Sequence, residues 1–160
     1  IMYSAAASHI SMRFRLEGPT LCISTACASA SHAIGEAAEA IRSGRADVMV
    51  AGGTDAPITP GVYKAWEAMR VLAPCGDDPA AACRPFSLDR QGLVLGEGAG
   101  IVVLEERDRA LRRGAVVHAE LAGYGATADA GHMTAPGVDA PVRAILQALD
   151  QAGLSPDQVE

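Results

Sequence analysis

An apolar, β-branched run meets a run of small residues within Leu21–Ser31, and the chain must leave extended geometry where the two meet. The apolar run predicts a strand over residues 20–25. Residues 28–43 keep apolar side chains at a helical period, and Gly44 follows them where a left-handed residue would end a helix. The sequence therefore predicts a strand that runs into a helix, with a sharp corner at Cys27.

A cysteine at such a corner has a possible chemical use. The first unpaired N–H groups of the helix and the positive end of its dipole would converge on the sulfur of Cys27, which favours the thiolate. The same N–H groups could hold an oxyanion. A lone cysteine in an apolar segment is more often inert packing. The corner alone leaves both interpretations open.

The composition limits the classes of protein to which the chain can belong. It has 160 residues, of which 49% are hydrophobic and 20% charged, enough to bury a core. The net charge of −6 argues against nucleic acid or an anionic membrane surface as a partner. No run approaches the ~18 apolar residues of a membrane span, and no signal segment opens the chain. We expect a globular cytoplasmic protein.

The cysteines and histidines show no metal-binding or disulfide pattern. No C-x-x-C pair occurs among the four cysteines, which predicts free thiols in a reducing cytosol. The histidines are scattered, so we expect no metal site. The residues are Cys22, Cys27, Cys75 and Cys83, and His9, His32, His118 and His132.

The rest of the chain alternates strand patterns with helix patterns, which predicts an α/β fold with a largely parallel sheet. Two glycine-rich stretches do not have the pattern of a nucleotide-binding site. Gly52-Gly53 lacks the P-loop lysine, and Gly96–Gly100 precedes its strand instead of following one. The further predicted strands are 46–51, 101–104 and 115–123, and the further predicted helices are 62–72, 105–113 and 140–152.

Five segments in one order resemble the β-ketoacyl synthases, over nearly the whole chain. The resemblance is to the elongating type II acyl-carrier-protein synthases of fatty acid synthesis and to their nodulation-factor and aromatic-polyketide relatives. The segments are Thr25–Ala30, Asp47–Gly53, Cys83–Phe86, Gly96–Gly100 and His132–Thr134.

The resemblance implies a fold and an assembly. The fold is the thiolase fold, an α/β protein of five layers (α/β/α/β/α) built from two similar halves. Residues 1–113 would form the end of the N-terminal half, and 114–160 the start of the C-terminal half. The enzyme would be a homodimer, or a heterodimer with a chain-length partner.

The resemblance also implies a reaction. An acyl group would pass from the phosphopantetheine of acyl carrier protein to Cys27. A malonyl thioester would then lose CO2 and attack the acyl-enzyme, which gives a 3-ketoacyl product two carbons longer. No further cofactor and no metal would take part.

The site residues are carried over by similarity. Cys27 would be the nucleophile, and its own N–H would be one oxyanion donor. The wall of the acyl pocket and the entrance for the pantetheine arm would be formed by five other residues. They are Ala26, Val62 and Trp66 in the pocket and His132 and Thr134 at the entrance. A lone tryptophan on an apolar helix face is also a common core residue.

In such enzymes the histidines of decarboxylation, a nearby lysine and an aromatic gate lie beyond the position of Glu160. We therefore expect the 160 residues to be a piece of a longer protein and to be inactive alone. Ala28-Ser29-Ala30, directly after the cysteine, is typical of the nodulation branch, which leaves the pathway and the acyl chain length open.

Three other types of protein are alternatives to a condensing enzyme. A non-catalytic chain-length partner would lack the cysteine at position 27. A degradative thiolase would not carry the segments Cys83–Phe86 and His132–Thr134. The third alternative is a structural or interface piece without chemistry of its own.

Overall fold

The computed structural model describes residues 2–160, which form two compact units. One unit comprises the residues up to Gly52 together with Ile101–Glu160, and the other comprises Gly53–Gly100. The predicted boundary near residue 114 concerns the two halves of a larger enzyme and stays a prediction. The helices are α1 (Ala5–Phe14), α2 (Ser29–Arg42), α3 (Pro60–Ala68), α4 (Arg107–Arg112) and α5 (Asp139–Ala152). The strands are β1 (Val48–Asp55) and β2 (Gly98–Glu105), and Pro79–Ala82 and Pro156–Gln158 are 3-10 turns.

The predicted helices at α2 and α5 are confirmed, with their ends close to the expected residues. Each of the two helices is followed by a glycine in the left-handed conformation: Gly44 has φ 70° and Gly153 has φ 67°. The Gly44 N–H donates to Ile41 O at 2.9 Å, and Gly153 N–H donates to Asp150 O at 3.1 Å. Glycine adopts this conformation without a Cβ penalty, which is why the two positions end helices.

The sheet of the described residues has two strands, β1 and β2, and both are longer than predicted. At one end Glu106 N–H donates to Asp47 O at 3.2 Å. At the other end Thr54 Oγ1 donates to Gly98 O at 3.3 Å. The start of one strand therefore faces the end of the other, as in an antiparallel pair. The prediction of a largely parallel sheet is wrong for this pair.

Two predicted strands, over residues 20–25 and 115–123, are not part of this sheet. Leu21 is 67% exposed and Val116 is 79% exposed, so large apolar side chains of both runs stay at the surface of the described residues. An apolar run indicates a segment that can be buried, whereas a strand needs a neighbour to pair its N–H and C=O groups. The sequence pattern could not show that the neighbour is missing from residues 2–160.

The buried core of the described residues consists of small side chains. Every hydrophobic residue in it is alanine, and three of them (Ala37, Ala38 and Ala40) lie on α2. Large apolar residues of β2 such as Val103, at 65% exposure, stay at the surface. Within residues 2–160, no helix is long and apolar enough to cross a bilayer.

The end of β2 is joined to α4 by an ion-pair cluster around Glu105. The carboxylate of Glu105 accepts hydrogen bonds from Arg113, with Nη2 to Oε2 at 2.6 Å, and from Arg109. The hydrogen bond from Arg113 is the largest cause that holds the pKa of Glu105 below its ordinary value. A depressed pKa means that the ionised carboxylate stabilises the folded chain, and that this stabilisation is lost as the pH falls through the folded-state pKa.

We expect Glu105→Gln to lower the Tm of the full-length protein at pH 7 and to flatten its decline on acidification below the ordinary glutamate pKa of about 4.3. Glu17→Gln, at an exposed glutamate, is the matched control. Thermal melts of both variants from pH 7 to pH 3 make the comparison. Identical Tm curves for Glu105→Gln and the parent would show that the cluster adds nothing to stability.

Candidate functional site

A tight turn precedes α2, and Cys27 lies in it. The Ala28 N–H donates to Thr25 O at 3.2 Å, and α2 begins at Ser29. Ala26, at the first central position of this turn, has φ 51°. A left-handed conformation costs a residue with a Cβ roughly 1–2 kcal/mol, so the surroundings must hold it. The predicted sharp corner at Cys27 is confirmed, although the segment before it is not a strand.

The side chain of Ser29 holds the corner in place. Its Oγ accepts a hydrogen bond from Thr25 N–H at 2.8 Å and donates one to Ala26 O at 2.7 Å. The backbone N–H of Ser29 also donates to Ala26 O, at 3.2 Å. Thr25 and Ala26 are therefore hydrogen-bonded to Ser29, the first residue of α2, which fixes the position of Cys27 relative to the helix.

The turn at Cys27 and the first turn of α2 contain backbone N–H groups without an acceptor among the described residues. The His32 N–H donates to Ala28 O at 2.9 Å. No acceptor within residues 2–160 takes the N–H groups of Cys27, Ala30 or Ser31. Such groups at a helix start carry partial positive charge and suit a negatively charged oxygen.

The thiol of Cys27 is free and exposed, and so are those of Cys22, Cys75 and Cys83. Cys22 donates a hydrogen bond from Sγ to Tyr3 O at 3.2 Å. Exposure does not distinguish Cys27 from the other three; its place at the start of a helix does. In the part of the chain that the structure describes, no group of three or more His, Cys, Asp or Glu could hold a metal ion.

The structure brings His132 and Thr134 together in the loop before α5. The Thr134 N–H donates to Nδ1 of His132 at 3.1 Å. The Nδ1 of a neutral ring therefore acts as acceptor and the proton is on Nε2, which can donate to another group. The loop is closed by Asp129, whose carboxylate accepts from Gly137 N–H at 2.8 Å. Among residues 2–160, no hydrogen bond connects His132 or Thr134 with Cys27.

Val62 and Trp66 lie on α3, in the other compact unit. They are four residues apart and so lie on one face of the helix. Trp66 is half-buried, and Val62 is 39% exposed. Two of the cavities in this unit, of about 330 and about 190 Å³, are lined by Tyr63 and not by Val62 or Trp66. The structure places Val62 and Trp66 on one face of α3 and away from these two cavities.

Two features of the corner could not be read from the sequence. The left-handed conformation of Ala26 has no signal in the residue type, because alanine is not enriched in that region. Ser29, two residues after the cysteine, carried a weak signal, since serine side chains often bond to nearby backbone groups at a helix start.

Comparisons with known sequences identify the family of the chain. The model of the family "Beta-ketoacyl synthase, N-terminal domain" matches residues 1–110. Nodulation protein E of Rhizobium meliloti is 52% identical over 159 residues, which are 99% of this chain and 38% of that protein. The 3-oxoacyl-[acyl-carrier-protein] synthase 2 of a Synechocystis species is 48% identical over 145 residues, 89% of this chain and 35% of that protein. The chain thus spans little more than a third of the curated relatives that it matches.

Solved structures show the same fold. A type II polyketide ketosynthase, in complex with its acyl-carrier protein and bound to a hexaketide, matches with a TM-score of 0.93 and 41% identity. The match covers 99% of this chain and 40% of that one. A β-ketoacyl synthase from Burkholderia phymatum matches with a TM-score of 0.91 and 37% identity, over 98% of this chain and 38% of that one. The predicted thiolase-like α/β fold is confirmed, and the chain belongs to the β-ketoacyl synthase family.

Proposed function

We propose that this chain carries the acyl-accepting cysteine of a 3-oxoacyl-[acyl-carrier-protein] synthase, an acyltransferase. The single observation that carries the proposal is the corner at Cys27, in a chain of this family. A thiol at a helix start, behind a left-handed residue that Ser29 holds in place, has the geometry of a fixed nucleophile.

The proposed reaction has two steps. The Cys27 thiol loses its proton, and the thiolate attacks the carbonyl carbon of an acyl thioester. The bond from that carbon to the carrier sulfur breaks, and the carrier thiolate that leaves takes up a proton, so no net proton is gained or lost. A malonyl thioester then loses CO2, and the resulting carbanion attacks the acyl group on Cys27. The sulfur of Cys27 leaves as thiolate, and the product is a 3-oxoacyl thioester two carbons longer. The oxyanion of each addition step would accept hydrogen bonds from free N–H groups at the start of α2.

We assign the other residues by the same resemblance. Ala26, Val62 and Trp66 line the acyl pocket, and His132 and Thr134 lie at the entrance for the pantetheine arm. The shared face of Val62 and Trp66 on α3 supports the first assignment. The Nε2–H of His132 supports the second, since it can donate to an amide oxygen of the arm.

The partner in this proposal is an acyl carrier protein, which brings the substrates on its phosphopantetheine. The complex of a similar ketosynthase with its acyl-carrier protein supports this assignment. We further propose a cytoplasmic homodimer, or a heterodimer with a chain-length partner, that uses no other cofactor. We also expect residues 1–160 alone to be inactive, because the decarboxylating groups of such enzymes lie outside this range.

A ketosynthase of a specialised pathway, such as a nodulation-factor or polyketide acyl chain, is the second candidate. The Nodulation protein E relatives are 51–53% identical to this chain. The 3-oxoacyl synthases are 43–48% identical. The acyl chains that the enzyme accepts would separate the two candidates.

The full-length protein tests the function when it is incubated with octanoyl and malonyl thioesters of acyl carrier protein. We expect one CO2 for each 3-oxodecanoyl thioester formed. A thiolase would join two acyl thioesters without CO2, and a non-catalytic partner would give neither product. Either of those outcomes contradicts the proposal.

Trp66→Ala tests the pocket assignment. We expect kcat/KM to shift toward longer acyl chains, because each extra buried methylene is worth about 0.8 kcal/mol, roughly fourfold. Met69→Ala, directly after α3 and 56% exposed, is the control, because Met69 lines neither of the two cavities of this unit. If Trp66 were a core residue instead, the variant would lose ~3–5 kcal/mol of stability with an unchanged chain-length profile. Measuring kcat/KM and Tm together separates the two outcomes.

A further inference from the structure

The ring of Tyr124 lies directly on the backbone of α2 at Gly35. A Cβ at Gly35 would come within 2.3 Å of Cε2 of Tyr124, so no residue larger than glycine fits beneath the ring. His32, one turn earlier on α2, meets the same ring edge to face, with centroids 6.4 Å apart and planes at 82°. The ring therefore sets how closely α2 approaches the segment that contains Tyr124.

The backbone on both sides of Tyr124 is pressed against α5. A Cβ on Gly123 would lie 1.9 Å from Ala148 O, and one on Gly125 would lie 2.0 Å from Ala144 O. These are close approaches that only glycine allows. Tyr124 thus stands between two helices, with its backbone fixed on α5 and its ring on α2.

Hydrogen bonds with both helices also hold the backbone of residues 121–124. Arg42, at the end of α2, donates from Nη2 to Leu121 O at 2.9 Å and to Ala122 O at 3.3 Å. It also donates to Oε1 of Gln151 at 3.1 Å. The same oxygen of Gln151 accepts from Tyr124 N–H at 2.7 Å. The contact of Tyr124 with α2 therefore cannot slide without breaking bonds at both helices.

This contact is mechanically linked to the nucleophile. Ser29 ties the Cys27 corner to the first turn of α2. Gly35 is six residues after Ser29, the start of α2, or about 9 Å along the helix. The helix is continuous between the two residues, so we expect a displacement at Gly35 to shift Ser29 and the Cys27 corner bonded to it.

We propose that Tyr124 is a positioning residue: its ring, seated on Gly35, sets the position of α2 and thereby of the Cys27 sulfur relative to the bound acyl thioester. The proposal rests on the function proposed above. A purely structural contact would change the amount of folded protein, whereas a positioning contact changes the turnover of each folded molecule.

The test compares Gly35→Ala with the double variant Gly35→Ala/Tyr124→Leu in the full-length protein. Octanoyl-N-acetylcysteamine is the acyl donor and malonyl-acyl carrier protein the acceptor, and kcat and the KM for the donor are expressed per folded molecule. We expect Gly35→Ala to lower kcat about tenfold or more, as misplacement by about 1 Å can do, with KM within about twofold. In the double variant the collision is gone and the methyl group added at position 35 fills part of the space that the ring leaves, so kcat should return toward that of the parent and exceed that of Tyr124→Leu. Gly18→Ala adds the same methyl group in open space and is the control.

A kcat of Gly35→Ala within about twofold of the parent overturns the proposal, and so does a double variant no faster than Gly35→Ala. If Gly35→Ala does not fold, Tyr124→Leu alone decides, because it removes the ring without adding an atom. An unchanged kcat in Tyr124→Leu would also overturn the proposal.

A parent protein that forms no acyl-Cys27 would contradict the proposed function instead. The variants are then compared by the rate at which iodoacetamide alkylates Cys27, with Cys22 in the same molecule as reference. The same ratio of the two rates in Gly35→Ala and the parent would overturn the positioning inference by itself.

Discussion

Replacement of Cys27 by alanine is expected to lower acyl transfer in the full-length protein by about a thousandfold or more, since the attacking sulfur is gone. The exposed backbone donors and the fold remain, so substrate binding should change little. The rate at which 3-oxodecanoyl thioester forms from saturating octanoyl- and malonyl-acyl carrier protein checks the expected loss of kcat. The melting temperature of the variant should stay close to that of the parent, because Cys27 is exposed and is not part of the buried core.

Cys22→Ala is the matched control for this experiment. Cys22 lies five residues before Cys27, is also free and exposed, and donates a hydrogen bond to Tyr3 O. Its removal should change kcat by no more than about twofold, because its sulfur is not at a helix start. Equal rates for Cys27→Ala and the parent, or a larger loss in Cys22→Ala, would remove Cys27 from the reaction.

Ala26→Val is expected to have the second largest effect, a loss of about a hundredfold in kcat. A β-branched side chain is a severe outlier at the left-handed φ of 51° that Ala26 adopts. The corner must open to relieve this strain, and a shift of the neighbouring Cys27 by about 1 Å is enough for such a loss. Stability should fall as well, by roughly 1–2 kcal/mol or more. Steady-state kinetics and thermal melts measure the two effects.

Two further substitutions at position 26 separate backbone strain from a blocked pocket. Asparagine is comparable in size to valine but tolerates the left-handed region, and glycine has no penalty there. If strain is the cause, Ala26→Asn and Ala26→Gly keep most of the activity, and Ala26→Val loses it equally for short and long acyl donors. Equal losses in the valine and asparagine variants, confined to long donors, would show that Ala26 acts only as the proposed wall of the acyl pocket and that its φ has no catalytic consequence.

The helices of this chain were predictable because their signals are local. Each residue of a helix bonds four residues away, so the apolar period and a following glycine at positions 44 and 153 were enough to define α2 and α5. The strands were less predictable because their partners lie elsewhere in the sequence. The runs at 20–25 and 115–123 are apolar, yet neither pairs with a strand within residues 2–160, in a chain that spans little more than a third of its relatives.

In the candidate site, too, features set by adjoining residues were predictable and features that depend on particular contacts were not. The corner at Cys27 follows from residues that adjoin it, and it was predicted. The left-handed Ala26 depends on the bonds of Ser29, and the seat of Tyr124 on Gly35 depends on packing between distant segments. The amino-acid types give only weak signals of either, a serine after the cysteine and glycines at the close contacts, and they do not identify the partner residues. The grouping of Ala26, Val62, Trp66, His132 and Thr134 into one site rests on the resemblance and stays a prediction.

The central claim is that Cys27 accepts the acyl group, and peptide mapping of the acylated protein tests it most directly. The full-length protein is incubated with octanoyl-acyl carrier protein in the absence of malonyl thioester, quenched in acid and digested. We predict that the octanoyl group is found on the peptide that contains Cys27 and is lost when malonyl-acyl carrier protein is added before the quench. An octanoyl group on Cys75 or Cys83, or a label on Cys27 that malonyl-acyl carrier protein cannot discharge, would contradict the account.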